Sequence, residues 1–293
     1  MRAVPSLPRL GWPYRKTALR LAIALAAGYV GTTIVLLALE DRLLFHPVRA
    51  DQRWSEPPPS CEFQDIYLRT ADNTSIHGRW WPCDGANQAI LVCHSRSGNL
   101  SLALTSEAVA EWQHELGVSV FIFDYPGYGR SEGRPTEAGC YAAADAAYEW
   151  LTKSQHVSLH NVLIVGRSLG TAVAVDLASR KPHRALVLIS PFSSFPDAAQ
   201  SHYPLLPARW LVRNQFDSLA KIGQCPGPIL IIHGTRDPTA PFTQGQHLFA
   251  AAHEPKQFVA MQGADHGDSV TADFLPTLRR FLLDTATTVR QGE

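Results

Sequence analysis

The residues best suited to chemistry are Gly166-Arg167-Ser168-Leu169-Gly170, a G-x-S-x-G pentapeptide. A β-branched run, residues 161–165, precedes it and a small-residue amphipathic stretch, residues 169–181, follows. A serine on a sharp strand-to-helix turn is exposed for attack on an acyl carbonyl, and the flanking glycines give the crowded backbone room. Serine alone is a weak nucleophile, so it needs a base, and the base needs an acid to orient it. In a parallel sheet both partners belong in loops at the carboxyl ends of later strands, in the order serine, acid, histidine. Asp237, in His233-Gly234-Thr235-Arg236-Asp237, and His266, in Gly263-Ala264-Asp265-His266-Gly267-Asp268, occupy such places. Ser168 is thus the expected nucleophile, Asp237 the acid and His266 the base.

Acyl transfer also requires donors aimed at the developing oxyanion. One is expected to be the backbone N–H of Leu169. The second is expected from the turn after residues 89–93, with the N–H of Arg96 favoured and that of Ser95 second. The Arg96 side chain either attracts an anionic head group at the mouth or is a solvated surface arginine.

Other titratable residues are read as structural. His94 and His233 each end a strand at a tight turn, His247 and His253 fall on a surface helix, and Asp265 and Asp268 are loop carboxylates too close in sequence to His266 to orient its ring. Asp124 is expected to tie down its own loop, and Cys93 to be a buried apolar side chain. Neither H-E-x-x-H, a C-x-x-C pair nor a phosphate-binding G-x-x-x-x-G-K-[ST] motif occurs, so no metal or other cofactor is expected.

The elements that position these groups follow from periodicity. Short apolar runs at 89–94, 118–125, 161–166, 184–190, 228–234 and 256–263 alternate with amphipathic stretches at 102–116, 136–153, 169–181, 242–253 and 269–285. This pattern predicts an α/β fold with a mostly parallel central sheet and helices on both faces. Upstream, residues 61–69 and 75–83 read as an antiparallel hairpin centred on Asp72. That register sets Cys61 opposite Cys83 and leaves two outcomes, a cross-strand disulfide or two unpaired thiols. Residues 191–227 are too long for a connector and too apolar for a disordered one. They read as a cap insertion forming a lid or substrate wall, or else as extra helix covering core.

The amino-terminal region is different. Residues 21–39 carry no charge and would span about 28 Å as a helix, close to a bilayer core. Arg2, Arg9, Arg15, Lys16 and Arg20 precede them, so residues 1–20 are expected to stay cytoplasmic and the rest to cross. A cleaved signal peptide or a buried helix are the competing readings. A proline-rich linker, residues 40–60, then leads to a catalytic domain at 61–287. The chain has 293 residues, with 26 Lys plus Arg against 26 Asp plus Glu. That balance offers no basic field for nucleic acid. A mean hydropathy of −0.08 excludes a polytopic membrane protein.

Taken together, EDRLLFHP (40–47), CHSRSGNLS (93–101), FDYPGYGRSEGRPTEAG (123–139), GRSLG (166–170), HGTRD (233–237) and GADHGD (263–268) resemble the membrane-anchored α/β-hydrolase-domain serine hydrolases, a group that includes lysophospholipid lipases and protein depalmitoylases. The resemblance runs from residue 40 to about 285. It implies an α/β-hydrolase fold, the Ser168–His266–Asp237 triad, and a small-molecule or lipid acyl ester or thioester as substrate. One departure is local: the group usually has His-Gly-Asn where this chain has His94-Ser95-Arg96. A peptidase on the same fold, or a non-catalytic binding or scaffold protein, are the alternatives.

Overall fold

The two hairpin segments and the six apolar runs become the strands of one sheet: β1 Gln64–Arg69, β2 Ser75–Trp81, β3 Ala89–Cys93, β4 Ser119–Phe123, β5 Val162–Arg167, β6 Ala185–Ile189, β7 Ile229–Gly234 and β8 Lys256–Met261. The computed structural model describes residues 12–205, 207–268 and 274–291. Their order across the sheet is β8-β7-β6-β5-β3-β4-β2-β1, and all neighbours are parallel except β1–β2 and β2–β4. Every residue of β3, β4, β6 and β7 is buried, because helices cover both faces.

The helices begin where their capping residues sit. Helix α2, Ser106–Leu116, starts after Thr105, whose hydroxyl accepts from the Ala108 N–H, and stops at Gly117 in the left-handed region. It is therefore shorter than the stretch read from 102, where Asn99 instead caps a separate turn, Leu100–Ala103. Helix α3, Glu137–Glu149, is capped by Thr136. Helices α4, Leu169–Arg180, and α6, Phe242–Ala251, follow β5 and β7. Helix α7, Phe274–Gln291, closes the chain, and the predicted helical positions 269–273 lie outside the described residues.

The hairpin has the predicted register: Gln64 faces Trp80 and Ile66 faces Gly78, pairs centred on Asp72. The disulfide does not form, and both Cys61 and Cys83 are free thiols. The ladder ends before reaching them. Pro82 closes β2, the Cys83 N–H turns to the Ser119 hydroxyl at 3.0 Å, and the Cys61 N–H closes a turn onto Pro58. With no ladder to align them, the two sulfurs are not held opposite each other.

Within residues 191–227 the chain forms α5, Phe195–His202, and short turns at Ala208–Leu211 and Leu219–Ile222. Its halves behave differently. Phe216 is fully buried against Phe45 and Tyr141, and the Gln215 and Phe216 N–H groups donate to the Glu137 carboxylate. Leu205 and Trp210, by contrast, are 86% and 88% exposed, and Leu206 lies outside the described residues. The stretch read as a linker is packed as well as extended: Leu44 and Phe45 are buried, and His46–Pro47 pair with Ser97–Gly98.

The chain divides into two units at Leu43/Leu44. In the first, helix α1 runs Trp12–Ala38. Its portion Lys16–Ala38 has a mean hydropathy of 2.1 and is long and apolar enough to cross a membrane. Leu21 and Leu25 are exposed along it, an arrangement that water disfavours.

Candidate active site

Ser168 stands between β5 and α4 with φ 52° and ψ −119°. This is a strained conformation for a residue with a side chain, and it projects the hydroxyl away from the sheet. The turn survives because Gly170 is bare: a Cβ there would overlap the carbonyls of Cys93 and His94 at the end of β3. The same contact brings the β3 turn against the serine.

Asp237 and His266 follow β7 and β8. Their loops are tied together: the Arg236 N–H donates to Ala264 O at 3.0 Å, and the Gly263 N–H to the Thr235 hydroxyl at 2.9 Å. Gly234 lets the two backbones touch, since a Cβ would come within 2.5 Å of Ala264 O. Inside the second loop the Asp265 carboxylate accepts from the Gly267 N–H at 2.6 Å, shaping the turn that presents His266. Asp265 and Asp268 themselves are exposed.

The three side chains meet. His266 Nε2 lies 2.9 Å from Ser168 Oγ, and His266 Nδ1 lies 2.7 Å from Asp237 Oδ2. Ser168 is 7% exposed. Burial alone would raise the Asp237 carboxyl. Hydrogen bonds with His233 and His266, and the Ala240 N–H, outweigh it and hold the group well below the usual carboxylate range. Asp237 therefore accepts the Nδ1 proton of His266, leaving Nε2 bare to accept from the Ser168 hydroxyl.

His233, which lies at the end of β7 and for which the sequence favours a structural role over entry into the site, lies against the Asp237 carboxylate. Fully buried, it lies 2.9 Å from Ala240 O and 3.4 Å from Asp237 Oδ2 through Nε2. Its position four residues before the acid was the available signal. The insertion also reaches this loop, where His202 Nε2 lies 2.9 Å from Thr239 O.

The expected oxyanion donors belong to the start of α4 and to the turn after β3. Leu169 is the first residue of α4, so its N–H has no acceptor within the helix and carries the positive end of the helix dipole. Ser95 and Arg96 follow β3 in a turn held by its carbonyls: the Tyr125 hydroxyl donates to His94 O at 2.7 Å, and the Tyr128 hydroxyl and His46 N–H donate to Arg96 O. Cys93, at the strand end, is wholly buried, which pushes its thiol up and keeps it protonated.

Behind this turn lies a buried polar cluster. Asp124 is fully buried and accepts from the Leu100 N–H at 2.7 Å, with His94 at 3.4 Å and His77 at 3.9 Å. His77 also lies 3.1 Å from Asp65. Burial would lower the His77 pKa, but the two carboxylates outweigh it and raise it. The folded protein thus holds this proton more tightly than the unfolded chain. The resulting stability is complete below about pH 6.5 and is lost as pH rises through the folded-state value. Thermal unfolding between pH 6 and 9 is expected to show a midpoint that declines with pH in the wild type. The decline should flatten in His77→Gln, and parallel curves for the two proteins would contradict this assignment.

Residues 88–211 match the family described as alpha/beta hydrolase fold. Alpha/beta hydrolase domain-containing protein 17B of Homo sapiens is 34% identical over 241 residues, 80% of this chain and 80% of its own. The chain belongs to the alpha/beta hydrolase fold family. Another similar chain, the uncharacterized protein Rv2307c of Mycobacterium tuberculosis, is 38% identical over 274 residues, covering 90% of this chain and 94% of its own. Among solved structures, the Pyrococcus furiosus esterase Pf2001 aligns with a TM-score of 0.67, covering 82% of this chain and 97% of its own. At 18% identity that likeness is one of fold.

Proposed function

We propose that this protein is a serine hydrolase that cleaves carboxylic esters or thioesters of small-molecule or lipid acyl groups. The observation that carries the reading is the unbroken line Ser168 Oγ, His266 Nε2, His266 Nδ1, Asp237 Oδ2, with contacts of 2.9 and 2.7 Å. Ser168 attacks the acyl carbon as His266 takes its proton, and Asp237 stabilises the imidazolium that results. The N–H groups of Leu169 and of Arg96 or Ser95 receive the oxyanion. His266 then protonates the leaving alcohol or thiol, and water, deprotonated by His266, releases the acyl group from Ser168.

Helix α1 serves in this reading as a single membrane anchor. The basic residues before it keep the amino terminus cytoplasmic and send the catalytic unit to the other side. The test is covalent. A fluorophosphonate should modify the wild-type protein once, and peptide mapping should place the adduct on Ser168. A folded protein that resists the reagent, or carries it on another serine, would remove the basis for the reading.

A further inference from the structure

A cavity of about 370 Å³ opens at the carboxyl ends of β3, β5 and β6. That size falls within the range of small-molecule sites, about 300–1,000 Å³. Its lining includes His94 and Ser95, from the turn that carries an expected oxyanion donor, and Arg167, the residue before the nucleophile. The remaining wall is mostly apolar, with Val92, Trp112 and Leu275 among its residues.

Arg167 is out of place in such a wall. It is the last residue of β5, directly before Ser168, and it is half-buried. Of its five donors, only one Nη2 hydrogen bond is described, to Gly267 O at a long 3.3 Å. Its Nε is buried with no partner, and it forms no ion pair among the described residues. Glu111, an exposed residue of α2, is the carboxylate in the lining, and it does not pair with Arg167. Burial pulls the guanidinium pKa below its ordinary value, yet an arginine does not surrender its proton in a protein. A desolvated, uncompensated cation is costly, and an anion entering the cavity would offset that cost. The bond to Gly267 accounts for one donor and would be met as well by a neutral side chain.

We infer that Arg167 is a specificity-determining residue, whose guanidinium holds a carboxylate or phosphate of the acyl substrate within the cavity that adjoins the Ser95 turn. The inference rests on the hydrolase reading above. The apolar wall takes the hydrocarbon part of the same molecule.

The experiment compares matched substrates that differ in charge, using the full-length protein. In one arm the p-nitrophenyl half-ester of glutaric acid is set against p-nitrophenyl pentanoate, which places the charge on the acyl side. In the other, a lysophosphatidic acid is set against the monoacylglycerol of the same chain, which places it on the alcohol side. The wild type is expected to favour the charged member of one pair in kcat/KM by roughly ten- to a hundred-fold, the range for a hydrogen bond to a charged group. Arg167→Gln should abolish that ratio and Arg167→Lys should retain part of it. The responding arm identifies which side of the ester carries the anion.

A ratio near one in both arms overturns the inference. So does an equal loss on both members of a pair in Arg167→Gln, which is what a mere prop for the His266 loop would produce. If Arg167→Gln does not fold, the wild-type ratios and their change in Arg167→Lys give the same answer, and wild-type ratios near one overturn it equally. Failure of the hydrolase reading looks different, with no adduct at Ser168 and no turnover of any ester, and it would take this inference with it.

Discussion

Alanine at position 168 is expected to lower kcat by about 10⁶-fold for any ester the protein cleaves, the scale seen when a triad serine is removed. The change deletes the single atom that contacts both His266 and the reacting carbonyl. What remains is the pocket and the oxyanion donors, which still bind the substrate and polarise it, so activity should not fall to the rate in water alone. The fold should not notice. Alanine inherits the same backbone angles, φ 52° and ψ −119°, and the same strain. Glycine tolerates a positive φ, and releasing strain of about 1–3 kcal/mol exceeds the 0.5–1 kcal/mol that glycine's added unfolded-state freedom costs. Ser168→Gly should therefore melt above both the wild type and Ser168→Ala while being equally inactive. The checks are steady-state kinetics and thermal unfolding on the same three proteins. More than 1% residual activity in Ser168→Ala would assign the chemistry to another group.

Much of this arrangement was legible in the sequence because its signals are local. The run before Ser168 is β-branched and the stretch after it is small and amphipathic, so a strand-turn-helix follows from residues 161–181 without any distant contact. The positions of Asp237 and His266 follow from one further rule, that ligands gather at the carboxyl ends of parallel strands. The hairpin register was readable for the same reason, since a short turn at Asp72 dictates which residues face each other.

What could not be read depends on where each element stops or what it meets. The symmetry about Asp72 continues on paper to Cys61 and Cys83, but the ladder ends where Pro82 withholds an N–H and β2 is engaged by β4 on its other edge. Apolarity says that Trp210 and Phe216 favour burial, not whether the fold supplies a partner. Phe216 finds Phe45 and Tyr141, while Trp210 stays exposed. Nor does spacing alone show that His233 touches the acid's carboxylate. The contact exists because α6 offers Gly245 opposite the ring, leaving room for the imidazole.

Asp237 carries the second large effect. Asp237→Asn is expected to reduce kcat by about 10⁴-fold at neutral pH with little loss of structure. The two carboxylate oxygens have different partners. Oδ1 accepts from the Thr239 and Ala240 N–H groups, each at 2.8 Å. Oδ2 faces His266 Nδ1 at 2.7 Å and His233 Nε2 at 3.4 Å. An asparagine must keep its oxygen toward the two backbone donors, because the opposite orientation would set its NH₂ against both. The NH₂ then occupies the Oδ2 position and donates to His266 Nδ1. His266 is left with its proton on Nε2, where it cannot accept one from Ser168, so the base is present but in the wrong tautomer. His233 cannot relieve this, since its own Nε2 proton is committed to Ala240 O. The ring nitrogens of His266 report the outcome directly: ¹⁵N chemical shifts should show the proton moving from Nδ1 to Nε2 in Asp237→Asn as kcat falls. An Asn variant within tenfold of wild-type activity, or one with the Nδ1 proton still in place, would mean that Asp237 does not orient the base.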